Sequence, residues 1–442
     1  MTSLLMPMYV ALVVYLPTTG RKLGFLSVSN IFIYMQLIMA TGTMPLLDET
    51  VEADSVNAFL LLTTFLVVLV MTSVLTMLLP RMRQVRFAGV TSLIRPGFAT
   101  WLLIVFSVLV CIVYYNAVGY LTIVESIKSV FSGASDDIAG LRLEAYAGDR
   151  YLLPGYVNQF KNVLLPALVA IVIPYYFRVR NPFRYIVALG LVALTLTFIL
   201  GTGQRGAFVM FMIALVLYVY YINRKKFLRY LIAFVALGLP IFIASTIALG
   251  RSSAELAAAK GPMGQLFVLI GQVFYRIFGS NQDAAVAGFR YIYAAPNQAG
   301  ADWLQSVLGI LPGVAGSDLD NRIFATLYGS TRGTAPPSLW GSTYYNFGFL
   351  GSVVCAVLVA VLLFLVATMI GRYEEINAMQ AIGFAGISAT LGTWVAGTPV
   401  VLLNAGIIAY VFLWWWGRRR QCHDEVGDLR NREHLKACEG MS

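Results

Sequence analysis

Apolar runs separated by short polar segments repeat from one end of the chain to the other. Many runs approach the length of about 20 residues that a helix needs to cross a bilayer, and about 11 can be drawn. They cover residues 4–17, 25–47, 57–79, 98–122, 163–177, 185–200, 207–222, 228–249, 345–370, 378–397 and 399–416. This pattern predicts an all-α, polytopic integral membrane protein. No change in composition marks a boundary, so residues 1–442 are predicted to form a single transmembrane domain.

Basic residues cluster in alternate short segments between the runs. Because positively charged loops stay on the cytoplasmic side of a membrane, this side is predicted to be cytoplasmic, together with the C-terminal tail, residues 417–442. The segment after the second run is acidic and has no nearby base, which is typical of the external side. The basic group is Arg21, Lys22, Arg81, Arg83, Arg86, Arg178, Arg180, Arg184, Arg224, Lys225, Lys226, Arg229, Arg372 and Arg418 to Arg420; the acidic group is Asp48, Glu49, Glu52 and Asp54.

Two external loops are long, covering about residues 123–162 and 250–344. The second is rich in aromatic and aliphatic residues, which argues against disorder. Within it, apolar residues recur at helical spacing over 266–277, and Gln265, Gln272 and Arg276 fall on another face. The run is too short to span comfortably, so an interfacial or re-entrant helix is predicted. A second such helix is predicted over 283–293.

Composition and charge narrow the class further. Only 12% of the residues are charged and 59% are hydrophobic, whereas a soluble domain has about 25% charged residues. The net charge of +10 comes largely from the cytoplasmic segments, so no nucleic-acid partner is predicted. The four cysteines are not spaced like a metal site or a disulfide framework. Both histidines, His423 and His434, lie in the tail, which leaves no external histidine base or zinc site. The absence of a P-loop motif argues against a Walker-type ATPase.

External arginines are the candidate ligands for an anionic lipid headgroup, because the planar guanidinium fork suits phosphate oxygens. Arg205 stands in the tight turn T-G-Q-R-G at residues 202–206. Its side chain either snorkels to the headgroups or faces a cavity as a fixed cation, and the sequence leaves both open. The other candidates in the long loops are Arg142, Arg276, Arg290 and Arg322.

One segment carries a family resemblance. Residues 337–351 read P-S-L-W-G-S-T-Y-Y-N-F-G-F-L-G and enter the helix after the second long loop. They resemble the P-S-x-x-G-x-x-Y-x-N-F-G-x-x-G pattern at this point in Wzy-type O-antigen polymerases. The T-G-Q-R-G turn resembles that family's external S-G-S-R-G-like turn. Family members often have Glu where Ser342 stands, so the role of that acid is vacant here or filled by another carboxylate.

The resemblance implies a GT-C-like membrane glycosyltransferase of lipopolysaccharide biosynthesis in the bacterial inner membrane, with its active site on the periplasmic face. Such an enzyme moves the growing glycan from undecaprenyl diphosphate to a sugar hydroxyl of the next lipid-linked repeat unit. The resemblance also implies that no cofactor, metal or nucleotide sugar is needed. A polysaccharide co-polymerase that regulates chain length is the implied protein partner.

The transfer requires a base for the acceptor hydroxyl, and an external carboxylate can serve. The first candidates are Glu144, near Arg142, and Asp318 or Asp320, near Arg322. Aromatic residues crowd the same loops, and Tyr344 is a candidate to bind sugar by stacking, although interfacial aromatic belts explain many of these residues.

Two other functions compete with the polymerase interpretation. An O-antigen ligase of this family is expected to use a histidine in the large external loop, and none occurs here. A lipid-linked oligosaccharide flippase or other transporter is expected to show repeated halves, and no internal repeat is evident. A structural membrane protein would leave the large loop unexplained.

Overall fold

A computed structural model describes residues 1–78, 97–132, 138–147, 155–178, 181–222, 226–248, 261–311, 314–330, 333–370 and 376–418. Within these ranges the secondary structure is helical, and no β-strand occurs. The helices are α1 (Leu5–Leu23), α2 (Val28–Thr43), α3 (Glu52–Leu78), α4 (Phe98–Val118), α5 (Thr122–Ser132), α6 (Ile138–Ala147), α7 (Tyr156–Asn158), α8 (Leu165–Arg178), α9 (Pro182–Leu200), α10 (Arg205–Ile222), α11 (Phe227–Ala248), α12 (Gly261–Phe278), α13 (Ser280–Tyr293), α14 (Ala301–Leu308), α15 (Leu319–Tyr328), α16 (Ser338–Ile370), α17 (Ala378–Gly392), α18 (Pro399–Asn404) and α19 (407–418).

Several helices have the length and apolar character of membrane spans. Within the described ranges there are 8 of them: Thr2–Leu23, Glu52–Leu78, Phe98–Val118, Tyr156–Phe177, Pro182–Leu200, Arg205–Ile222, Phe227–Ala244 and Ser338–Met369. The predicted all-helical, multi-pass membrane architecture is thereby confirmed. The number of about 11 spans remains a prediction, because the other three runs form shorter pieces. They are α2 with 16 residues, α17 with 15 residues, and the pair α18 and α19.

Local chemistry explains the end of α2 and the division between α18 and α19. After α2 the chain enters the 3₁₀ turn Met44–Leu46, which contains Pro45, and proline cannot continue the backbone hydrogen bonding of a helix. Gly406 separates α18 from α19 with a φ of 88°. A Cβ atom at this position would lie 2.2 Å from Val163 Cγ2, so only glycine fits the turn.

Two packed groups of helices form the centre of the bundle. In one group α16 packs along α3, which also contacts α1; in the other α10 packs along α17. Helix α2 contacts α3, α16 and α17, so it joins the two groups. The largest apolar core runs through both groups and includes the edge-to-face pair Phe32 and Trp340, with ring centroids 6.2 Å apart.

Small residues allow a close contact between α17 and α19. All of α17 from Met379 to Gly392 is buried. A Cβ atom added at Gly383 would lie 2.5 Å from the backbone nitrogen of Trp414 and 2.8 Å from the carbonyl oxygen of Tyr410, both in α19. In membranes, where lipid is as apolar as leucine, such close backbone approach supplies much of the association energy.

Helices α5, α6 and α12–α15 connect the spans at one end of the bundle. We call this end the cap end. The Tyr156 hydroxyl donates to the Ile310 carbonyl over 3.1 Å, which ties the start of α7 to the chain after α14.

The predicted helices over 266–277 and 283–293 are confirmed as α12 and α13. Helix α12 leaves Phe267 and Phe274 exposed, as an interfacial helix would. Helix α13 is instead buried against α3, α15 and α16.

Some predicted features lie outside the described residues. They include the basic segments around Arg81, Arg180, Arg224 and Arg372 and the tail beyond Arg418.

We expect Gly383→Ala to destabilise the protein, because its Cβ would meet rigid backbone of α19 rather than a movable side chain. Overpacking of this kind costs about 1–3 kcal/mol. The measurement is the thermal unfolding midpoint of the purified protein in detergent. The control is Gly190→Ala in α9, where an added Cβ meets nothing within 4 Å. Equal midpoints for the two variants would contradict the close α17–α19 contact.

Candidate functional site

The segment 337–351 begins α16 at the cap end and contains a break in that helix. Gly348 has φ 67° and ψ −171°, a backbone conformation open essentially to glycine alone. The break separates residues 338–347 from the long apolar part of α16. The first part is deeply buried, and Ser342, Thr343 and Asn346 are fully inaccessible to solvent.

Ser342 and Asn346 attach α14 to α16 by hydrogen bonds. The indole Nε1 of Trp303 donates to Ser342 Oγ over 2.8 Å, and the Trp303 backbone nitrogen donates to Asn346 Oδ1 over 3.3 Å. Asn346 Nδ2 donates to the Ser342 carbonyl over 2.9 Å. The family that this segment resembles often has Glu at position 342. Here the position is Ser342, and its hydroxyl accepts a hydrogen bond from the Trp303 indole. These contacts set the position of the residue before Trp303.

That residue is Asp302, a buried carboxylate that the sequence did not single out. Ser317 Oγ donates to Asp302 Oδ1, and Asn346 Nδ2 lies 3.5 Å from Asp302 Oδ2. The nearby Asp320 has a buried Oδ1 with no hydrogen-bond partner. Burial, and secondarily the charge of Asp302, raise the pKa of Asp320 to about 7. A buried acid pair therefore lies at the cap end, and Asp320 is the member that can exchange a proton near neutral pH.

Asp318 has a different environment from Asp320, although both were predicted beside Arg322. Arg322 Nη2 lies 2.9 Å from Asp318 Oδ1, and Nε donates to Oδ2 over 2.9 Å. Both side chains are more than half exposed, at 54% and 60%. Exposed pairs of this type contribute about 0–1 kcal/mol to stability. Asp318 is thus a solvated partner of Arg322, whereas Asp320 is the shielded carboxyl.

Arg290 is held by a carboxylate from a distant part of the sequence. Its Nε donates to Asp54 Oδ1 over 2.8 Å and its Nη2 to Asp54 Oδ2 over 2.5 Å. Asp54 also accepts from the Asp48 backbone nitrogen over 2.8 Å. The Asp54 side chain is 1% exposed and that of Arg290 is 45% exposed. The acidic segment that has no base near it in the sequence therefore has one in space, 236 positions away.

Tyr344 belongs to a short row of aromatic rings at the same end. Its ring centroid lies 5.0 Å from that of Phe289 and 6.4 Å from that of Tyr293. Tyr293 lies beside Glu52, and a hydrogen bond to this carboxylate raises the pKa of the Tyr293 hydroxyl. Tyr344 remains partly exposed.

Arg142 and Glu144 lie on α6, which is attached to the end of α4. Tyr114 donates to the Ala145 carbonyl, and Tyr120 donates to the Leu141 carbonyl over 2.7 Å. Positions two apart point to different faces of a helix, and the contacts of the described residues include no ion pair between Arg142 and Glu144. The Arg142 Nε atom is buried without an acceptor.

The remaining predicted arginines occupy separate positions. Arg205 begins α10, and its guanidinium carbon lies 5.4 Å from the ring centroid of Phe242 in α11. Arg276 lies in α12, but its side chain is outside the described part of the structure. The structure therefore brings Asp318, Asp320 and Arg322 together at the start of α15, whereas Arg205 begins α10 and Arg142 and Glu144 lie on α6.

Lys161 is the largest omission from the sequence-based candidates. It lies in the π-helical turn Gln159–Leu164 between α7 and α8, and it is fully buried. Its ammonium donates to Thr202 Oγ1 over 3.2 Å and lies 5.3 Å from the Tyr114 ring centroid and 6.0 Å from that of Tyr115. The sequence gives little signal for this residue, because a lysine next to an apolar run ordinarily snorkels to the membrane interface.

Metal binding has no support from clustering of the usual ligands. Within the described residues, no three His, Cys, Asp or Glu side chains lie close enough together to hold a metal ion. The predicted metal independence stays a prediction.

Comparisons with protein-family models, with curated proteins and with solved structures give no match. The class that the described chain defines is a helical, multi-pass membrane protein with a polar cap end. The polymerase assignment therefore depends on the sequence resemblance and on the chemistry of the site.

We expect the Arg290–Asp54 pair to stabilise the attachment of α13 to α3. Arg290→Met and Asp54→Asn should each lower the thermal unfolding midpoint, because each leaves a half-buried or buried polar group without its partner, at a cost of about 1–3 kcal/mol. The double variant should lose less than the sum of the two single losses, because the groups interact directly. Strictly additive losses would show that the ion pair does not couple the two helices.

Proposed function

We propose that the protein is an O-antigen or related surface-polysaccharide polymerase. It transfers a growing glycan from undecaprenyl diphosphate to the next lipid-linked repeat unit on the periplasmic face of the bacterial inner membrane. The observation that carries the proposal is Asp320, a shielded carboxyl with a pKa of about 7 at the cap end of a membrane bundle. A base with this pKa suits proton abstraction near neutral pH.

In the proposed reaction one glycosidic bond forms and one bond to the diphosphate breaks. The acceptor hydroxyl oxygen forms a bond to the anomeric carbon of the donor, and its proton passes to Asp320. The bond between that carbon and the diphosphate oxygen breaks, and its electron pair leaves with the diphosphate. Negative charge increases on the leaving group, so cations arranged in advance around it lower the barrier. No nucleotide sugar or cofactor takes part in this scheme.

Asp320 is a better candidate for the base than the other two predicted acids. Asp318 is exposed and its carboxylate is already paired with Arg322. Glu144 lies on α6, which packs against α5. Asp320 has an unpaired carboxylate oxygen, and the N–H of Ala335 donates to its backbone carbonyl over 2.9 Å. This contact joins Asp320 to the chain that enters α16.

The predicted arginines and Tyr344 serve as substrate contacts in this scheme. Arg322 and Arg290 are each paired with a carboxylate but remain about half exposed, so their outer N–H groups are available to an acceptor. Arg205, Arg142 and Arg276 are proposed to contact the anionic carrier. Tyr344 lies in the aromatic row with Phe289 and Tyr293, which can stack on a sugar ring of the repeat unit. A polysaccharide co-polymerase is the proposed protein partner.

Polymerisation by the purified protein tests the proposal. The protein in liposomes receives only its undecaprenyl diphosphate-linked repeat unit, without ATP or nucleotide sugar. The expected product is a ladder in which successive glycans differ by one repeat. Transfer only after addition of lipid A core would indicate a ligase. Movement of an unchanged substrate across the bilayer would indicate a transporter, and either result would overturn the polymerase assignment.

We expect Asp320→Asn to lower the polymerisation rate by about 10²–10⁴, the usual contribution of a general base. Asp318→Asn is the matched control, because it removes a carboxylate from the same helix that is exposed and paired with Arg322. Its rate should fall less than threefold. The measurement is the initial rate of ladder formation at equal amounts of folded protein. Equal rates for the two variants would exclude Asp320 as the base.

We also expect the pH dependence of the polymerisation rate to reflect Asp320 and its neighbour Asp302. The base acts in its charged form, so the rate should increase with pH and reach half its maximum near the Asp320 pKa of about 7. Asp302→Asn removes a neighbouring negative charge, which favours the charged form of Asp320 and lowers its pKa. The acidic limb of the profile should therefore move to lower pH. An unchanged limb in this variant would contradict the interaction between the two carboxyls.

A further inference from the structure

Lys161 is a buried cation that the proposed base and arginines do not explain. It stands in the π-helical turn Gln159–Leu164 at the cap end of the span Tyr156–Phe177. Single-turn π-helices in α-helices occur frequently at functional sites. No carboxylate of the described chain forms an ion pair with its ammonium, whereas Arg290 and Arg322 each have one.

The contacts of the ammonium do not offset the cost of burying its charge. Removing an ammonium from water costs several kcal/mol even after the protein relaxes. A cation–π contact returns about 0.5–2 kcal/mol, and the rings of Tyr114 and Tyr115 lie at 5.3 and 6.0 Å. The hydrogen bond to Thr202 Oγ1, at 3.2 Å, uses only one of the three N–H donors. A charged Lys161 is therefore short of negative charge.

The surroundings of Lys161 contain a second cation in a similar state. Tyr114 contacts Lys161 through its ring and donates from its hydroxyl to Ala145 in α6. Arg142 lies one helical turn before Ala145, and its buried Nε has no acceptor. On the opposite side, Thr202 belongs to the T-G-Q-R-G turn that leads into α10. Two buried basic groups of the described chain, the Lys161 ammonium and the Arg142 Nε atom, thus lie near the two ends of Tyr114.

We propose that Lys161 and Thr202 form an anion site for the diphosphate group of the lipid-linked substrate. This inference rests on the proposed function, and it names the group that receives the leaving diphosphate. Lysine binds phosphate as a point charge, and its four-carbon stem lets the ammonium move from the tyrosine rings toward a phosphate oxygen. The negative charge that develops on the leaving oxygen then pairs with a cation that has no ion pair within the described part of the chain.

Binding to the full-length protein in lipid nanodiscs tests the site. The probes are polyprenyl diphosphate without sugar, polyprenyl monophosphate and inorganic diphosphate. Lys161→Met should weaken polyprenyl diphosphate binding at least tenfold. The control is Lys22→Met. Lys22 also makes one hydrogen bond, to the Thr76 carbonyl over 2.9 Å, and this variant should bind polyprenyl diphosphate as tightly as the wild-type protein. Competition by inorganic diphosphate would show that the site recognises the anion itself; its failure to compete would show that the lipid is also needed.

A second variant keeps the test decisive if Lys161→Met does not fold. Thr202→Val removes one oxygen and keeps the side-chain volume, and it should weaken polyprenyl diphosphate binding severalfold. If Lys161→Met folds and binds polyprenyl diphosphate with wild-type affinity, the proposed site is wrong. If Lys161→Met does not fold, wild-type affinity in Thr202→Val would have the same meaning.

The two proposals fail in different ways. Lysine-dependent diphosphate binding without a polymer ladder would overturn the polymerase and keep the site. A normal ladder from Lys161→Met would keep the polymerase and overturn the site.

Discussion

The hydrogen bonds from Trp303 to Ser342 and Asn346 fix the geometry on which the proposed chemistry depends. They join α14 to the first turns of α16, before the break at Gly348. Asp302 precedes Trp303, and its carboxylate is buried near Asp320. Residues 337–351 therefore contribute to the site by holding Asp302, an acid that lies outside this segment.

The charges at the cap end divide into two regions with different chemistry. Arg290 and Arg322 are neutralised by Asp54 and Asp318, and Arg322 lies on α15 with Asp320. Lys161 contacts the rings of Tyr114 and Tyr115 and the hydroxyl of Thr202, and no carboxylate of the described residues forms an ion pair with it. A transferase that moves a glycan away from a diphosphate needs both environments, an acceptor for a proton and a receptor for an anion. The paired arginines also show why loss of activity in an arginine variant alone does not identify a phosphate ligand.

The sequence predicted the helical membrane architecture and the two helices α12 and α13, because periodic apolar residues report burial directly. It did not predict that Arg290 pairs with Asp54, because no local pattern connects residues 236 positions apart. It grouped Asp318 with Asp320, and only the direction of each side chain separates a solvated acid from a shielded one. Lys161 was overlooked because it stands where a loop meets an apolar run, and the π-helical turn that buries it has no simple sequence signature.

The unequal environments of the two acids give Asp320 its suitability as a base. Ser317 and Asn346 donate to Asp302 and compensate for the burial of its charge. The buried Oδ1 of Asp320 receives no donor, so burial and the neighbouring charge both favour its protonated form. Burial beside a second carboxyl is a general means of giving one acid a pKa that suits proton transfer. A single exposed aspartate, such as Asp318, has neither effect, and for this reason sequence proximity to Arg322 is a poor guide to the base.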